Sequence, residues 1–96
     1  MAFAVMNVVT TTPDQAASLI AQIEPTFRGT LPRQPGFRSA RLYRAEDQSQ
    51  ITMIVEWESR EHFLAFRRTD QARDGVADAV TLHPKISFHE VVAVAN

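Results

Sequence analysis

Residues 51–66 read Ile-Thr-Met-Ile-Val-Glu-Trp-Glu-Ser-Arg-Glu-His-Phe-Leu-Ala-Phe, and this stretch decides the fold. Its first half alternates: Ile51, Met53, Val55 and Trp57 share one side, and Thr52, Ile54, Glu56 and Glu58 share the other. That period of two is the signature of a strand. The period then changes. Ser59 is a good helix N-cap, and Glu61 places a carboxylate in the first turn, where the helix dipole favours it. Phe63, Phe66 and Arg67 follow at helical spacing. A strand therefore passes directly into a helix, with the single tryptophan of the chain at the junction. Such an indole reads either as a core anchor or as the wall of a site.

Working outward, Phe37 to Arg44 reads as a strand, with Leu42 and Tyr43 on opposite sides. The polar stretch Ala45 to Gln50 turns back, so this strand and the next form an antiparallel hairpin with a loop of roughly four to six residues. Before it, Gly29 to Gly36 carries two glycines and two prolines and reads as a loop, with Pro35-Gly36 as a turn signal. Further upstream, Thr12-Pro13-Asp14-Gln15 is a helix start: threonine caps, proline takes the first position and Gln15 completes a capping box. Ala16, Leu19, Ile20, Ile23 and Phe27 make its apolar stripe, and Pro25 should kink or end the helix.

The chain opens with a strand over Phe3 to Thr11. It is apolar on both sides apart from Asn7, which stands among Phe3, Val5 and Val9. A buried amide needs partners, from neighbouring backbone or from a ligand. Downstream of the opening stretch, Thr69 or Asp70 caps a third helix whose stripe is Ala72, Val76, Ala79 and Val80. Gly75 weakens that helix by about 1 kcal/mol relative to alanine, and Pro84 ends it. Ile86 to Ala95 is the last strand, with Ile86, Phe88, Val92 and Val94 on one side and Val91, Ala93 and Ala95 on the other.

The order β-α-β-β-α-α-β points to an α+β fold: a ferredoxin-like split β-α-β with a four-stranded antiparallel sheet, one domain over residues 1–96. Helices cover one side of such a sheet. Ala4, Met6, Val8, Ile54, Val91 and Ala93 make the other side apolar as well, so a homodimer with sheets packed face to face is expected, or a closed higher oligomer.

Composition narrows the chemistry. The chain has 96 residues, a net charge of −1 and 45% apolar residues, with acidic and basic side chains interspersed, so nucleic-acid binding by electrostatic steering is not expected. No apolar run reaches the ~18 residues of a membrane span, and the first residues lack a basic signal-peptide region, which makes the cytoplasm the default location. There is no cysteine, hence no disulfide, thiolate nucleophile or cysteine-held metal. His62, His83 and His89 do not fall at metal-ligand spacing, so no metal is expected. Glu56 and Glu58 face away from Trp57 and read as a solvated or inter-subunit pair. No phosphate-cradling loop or nucleophile elbow is present. If the first and third strands are neighbours, Asn7 and Trp57 share the helix side, where Phe63, Phe66 and Phe88 line a small-molecule cavity.

From about Val5 to Val92 the sequence resembles the antibiotic biosynthesis monooxygenase family of dimeric α/β-barrel proteins. The resemblance rests on Asn7, Pro35-Gly36-Phe37, Leu42, Val55-Glu56-Trp57-Glu58-Ser59, Phe63 and Phe66. It implies a cofactor-independent oxygenase that needs no cofactor and oxidises a small aromatic phenol, anthrone or quinol with dioxygen. Asn7 and Trp57 match the catalytic asparagine and tryptophan of that branch, with Met53, Phe63, Phe66 and Phe88 binding substrate. Met53 stands where the branch commonly has asparagine. The haem-degrading branch is disfavoured, because Phe66 and Val76 occupy the places of its tryptophan and iron-binding histidine. A non-catalytic ligand-binding or regulatory dimer and a polyketide cyclase-like protein are the alternatives on the same fold.

Overall fold

A computed structural model of the chain describes residues 2–70, 72 and 82–96. Its elements are β1 (Phe3–Thr10), α1 (Pro13–Pro25), β2 (Phe37–Arg44), β3 (Gln50–Trp57), α2 (Arg60–Arg67) and β4 (Lys85–Glu90). The four strands form one antiparallel sheet in the order β2-β3-β1-β4. This is the ferredoxin-like arrangement expected from the sequence. Among the described residues, no helix is long and apolar enough to cross a membrane.

Register settles which side chains meet. Phe3, Val5, Asn7 and Val9 of β1 lie opposite Trp57, Val55, Met53 and Ile51 of β3. Ala40 and Leu42 of β2 lie opposite Val55 and Met53, after an irregularity between Phe37 and Ser39. Because side chains alternate across a strand, all of these belong to one side of the sheet. The helices pack on that side. Under α1, the buried residues Val9, Ala16, Leu19, Ile23, Ile51 and Met53 form an aliphatic cluster. Beside it, Val5, Leu31, Val55 and Trp57 form a second cluster, with Phe63 and Phe66 of α2 packed against it.

The start of α1 follows its local chemistry. The Gln15 N–H donates to Thr12 Oγ1 at 3.2 Å, and the Thr12 N–H donates to Gln15 Oε1 at 2.9 Å, a complete capping box. Pro25 is the last residue of α1, since it has no N–H for the carbonyl four residues back. The following stretch is not the open loop that its glycines and prolines suggest. Thr26–Thr30 makes a π-helical turn, closed by the Leu31 N–H on the Thr26 carbonyl, and Leu31–Arg33 makes a 3₁₀ turn. Phe27 therefore packs from this wide turn and not from the α-helix itself.

β4 is shorter than its alternating pattern. The ladder ends at the pair Phe3–Glu90, because β1 begins at Phe3 and offers no partner beyond it. After a hydrogen bond from the Val91 N–H to the Ala2 carbonyl at 3.1 Å, the chain leaves the sheet. Val92 and Val94 are 88% and 70% exposed and do not share a strand side with Ile86 and Phe88. At the start of the expected third helix, Thr69 Oγ1 accepts from the Ala72 N–H at 3.2 Å, a capping bond. The rest of its stripe, Val76, Ala79 and Val80, and the weak point Gly75 lie outside the described residues.

Candidate functional site

The site begins where β3 becomes α2. Ser59 caps α2: its Oγ accepts from the His62 N–H at 3.3 Å and lies 2.7 Å from His62 Nδ1. This fixes the first turn. The three-residue spacing of Phe63 and Phe66 then carries both rings down onto Trp57. Gly36 makes the approach possible. It has φ +79°, and a Cβ there would collide with the His62 ring. The Glu58 N–H donates to the Gly36 carbonyl at 2.8 Å, which ties the junction to the start of β2.

Trp57 is 1% exposed and ringed by phenylalanines. Phe37 meets it edge-on at 6.1 Å and 88°, Phe66 lies at 5.4 Å and Phe63 at 6.4 Å between centroids. Phe63 also contacts Phe3 at 5.9 Å and Phe88 at 5.7 Å. Tilted and edge-on rings at these separations attract one another beyond their area burial. Yet the indole N–H is buried with no hydrogen-bond partner among the described residues. An orphaned donor of this kind costs about 1–3 kcal/mol. It is an unpaired polar group in an otherwise apolar cluster.

Asn7 is half-buried on the same side of the sheet, with Met53 opposite it on β3 and Ile86 opposite it on β4. Its amide makes no side-chain hydrogen bond among the described residues. Trp57 lies opposite Phe3, four residues along β1 from Asn7, a distance of roughly 13 Å at the rise of a strand. The structure thus draws Trp57, Phe63, Phe66 and Phe88 into one ring cluster. Asn7 and Met53 stand together further along, and Met53, at 5% exposure, belongs to the aliphatic cluster. Over β4 this side is open: Ile86 is 52% and Phe88 43% exposed.

Phe3 and Phe37 also belong to the ring cluster, although the sequence reading did not assign them to the site. Phe3 was on the correct side by alternation; Phe37 was hidden because the irregularity in β2 breaks the period of two. Arg60, the first residue of α2, sets its guanidinium over Phe88 at 5.5 Å and over Phe3 at 6.0 Å. Among the described residues, no group of three or more His, Asp or Glu side chains could hold a metal ion. A distinct cleft among the described residues lies elsewhere. It measures about 460 Å³ and lies between α1, the π turn and β2, with Ile20, Phe27, Ala40 and Leu42 as its apolar part and Glu24, Arg28 and Arg44 at its rim.

A split β-α-β sheet, with helices on one side and an aromatic cluster holding an unpaired donor, defines an α+β small-domain class with its candidate site on the helix side. The model of the antibiotic biosynthesis monooxygenase family matches residues 2–78, and the chain belongs to that family. Its fold is similar to that of Rv0793 from Mycobacterium tuberculosis, with a TM-score of 0.85, 18% identity and 100% of both chains covered. It is also similar to the ActVA-Orf6 monooxygenase of Streptomyces coelicolor, whose structure contains nanaomycin D: TM-score 0.76, 19% identity, 99% of this chain and 90% of that one. SnoaB, a cofactor-independent oxygenase from Streptomyces nogalater, matches with a TM-score of 0.75, 18% identity and 97% and 95% coverage. At these identities the likeness concerns the fold. Among curated proteins none matches the chain.

Proposed function

We propose that the protein is a cofactor-independent monooxygenase that oxidises a multi-ring phenol or anthrone with dioxygen. The observation that carries this reading is the buried, unpaired indole N–H of Trp57 inside a cluster of aromatic rings. The free amide of Asn7 on the same side of the sheet adds a second donor. Asn7 and Trp57 stand on one side of the sheet with an offset of four residues of β1 between them, which favours an extended ring system over a single phenol. The solved Streptomyces oxygenases of the same fold support the reaction class.

The chemistry needs no group beyond substrate and dioxygen. Loss of a proton from the anthrone gives its enolate, which transfers one electron to dioxygen. Superoxide and the substrate radical join at carbon, and protonation gives a hydroperoxide. Loss of water leaves the quinone carbonyl, so one oxygen atom enters the product and the other leaves as water. Asn7 donates to the substrate oxygen as negative charge develops, and the Trp57 N–H donates to a second oxygen. Phe63, Phe66 and Phe88 hold the ring and keep water from the reactive intermediates, and Met53 packs beside Asn7.

The working unit in this reading is a homodimer. On the side of the sheet away from the helices, Ala4, Met6, Val8 and Ile54 form an apolar centre flanked by Arg41, Tyr43, Glu56, Ser87 and His89. Two such sheets packed face to face would cover it.

The test is oxygen uptake by metal-free protein with anthrone. Wild type should exceed the uncatalysed rate, and Asn7→Ala and Trp57→Phe should each lose about tenfold or more. Uptake that is the same in both variants removes the assignment of these residues. A ligand-binding dimer without turnover is the second reading, favoured by buried, apolar Met53 opposite Asn7. Uptake no faster than the uncatalysed reaction, together with saturable quenching of Trp57 fluorescence by anthraquinone, would establish it.

A further inference from the structure

The cleft between α1 and β2 shares none of the residues assigned to oxidation. Its volume of about 460 Å³ falls within the ~300–1,000 Å³ of small-molecule sites. Its apolar part comes from three elements: Ile20 from α1, Phe27 from the π turn, and Ala40 and Leu42 from β2. These side chains rest on the two buried clusters, so the lining is backed by packed core and not by a mobile loop.

The rim is charged, and its charges are unequal in status. Arg28 is satisfied by Glu24 at 3.0 Å, an i, i+4 pair along the chain. Arg44 also lines the cleft, and its register with Ile51 puts it on the helix side of β2. Its guanidinium has no ion pair or hydrogen bond among the described residues. One paired and one unpaired guanidinium leave a net single positive charge, among the described residues, at the rim of a half-open cleft of mixed polar and apolar lining.

We propose that this cleft binds a small planar apolar monocarboxylate, with the ring system against Phe27 and Leu42 and the carboxylate on Arg44. A guanidinium fork matches a carboxylate in bidentate geometry. A monoanion balances the cation left unpaired among the described lining residues, whereas a dianion would place surplus charge beside Glu24. None of its lining residues is among those assigned to oxidation, so the proposal does not depend on the oxygenase reading.

The experiment is a titration of ¹⁵N-labelled protein with 2-naphthoate, with 2-naphthalenemethanol as the neutral control. Shifts should centre on Ile20, Phe27, Leu42 and Arg44. The alcohol should bind about tenfold more weakly or worse, and Arg44→Gln should remove that preference. Arg44→Lys keeps the charge but loses the fork, and should fall between the two. Arg44 is exposed, so neither substitution threatens folding. Equal binding of acid and alcohol overturns the proposal. So do shifts that centre on Asn7, Phe63 and Phe88, or cleft amides that a second copy of the chain already shields in the ligand-free protein.

Discussion

The two buried clusters on the helix side of the sheet are built from different materials. The cluster under α1 is aliphatic, and its side chains carry no hydrogen-bonding N or O atom. The cluster under α2 adds aromatic rings to its aliphatic residues, with Trp57 at its centre and phenylalanines packed around it, and Trp57 keeps a buried N–H without a partner among the described residues. The first has only packing to accomplish. The second tolerates an unpaired donor that packing alone would select against. If the proposed oxidation takes place at the aromatic cluster, substitutions should separate stability from turnover.

The largest effect should come from the aliphatic side. Ile51 is fully buried, and Ile51→Ala should cost about 2–5 kcal/mol in denaturant unfolding. Anthrone turnover per folded molecule should stay near wild type; a loss that tracks the loss in Trp57→Phe would erase the distinction between the clusters. Gly36→Ala comes next. Its positive φ and its contact with His62 predict about 1–3 kcal/mol. Because the strain falls on the first turn of α2, the near-ultraviolet dichroism of Trp57 should change with it. An unaltered spectrum would show that α2 does not depend on Gly36 for its seat.

The smallest effect lies outside both clusters. The Ser49 hydroxyl and N–H donate to the Asp47 carboxylate at 2.6 and 3.0 Å and hold its pKa below the ordinary carboxylate value. A pKa lowered by folding adds stability above the ordinary carboxylate value, and that stability is lost as pH falls through the lowered value. Ser49→Ala should raise the Asp47 pKa in a carboxylate NMR titration and flatten this acid limb, through a small loss of stability at neutral pH that disappears in acid.

Most of the fold was legible because its signals are local. The capping box at Thr12, the cap at Ser59 and the alternation from Ile51 to Trp57 each act within a few residues, and each element formed where those signals put it. β4 was overextended because alternation records which residues could form a strand and not where the partner strand ends. Gly29 to Gly36 reads as a loop, and the helical turns that overlap it have no residue signature; the π turn forms here from what Pro25 withholds and from the burial of Leu31. Sharing of one sheet side by Asn7 and Trp57 followed from periodicity. Their separation along the strands did not, since register depends on pairing. The cleft at Arg44 was not foreseen either, because its walls come from segments whose approach only the tertiary packing fixes.

Phe27 packs against both clusters and also forms part of the cleft. One ring therefore has a share in three environments, and its rotamer is a common variable among them. Substitutions in the two clusters should then fail to add, with a double-mutant coupling energy that shrinks when position 27 is reduced to alanine.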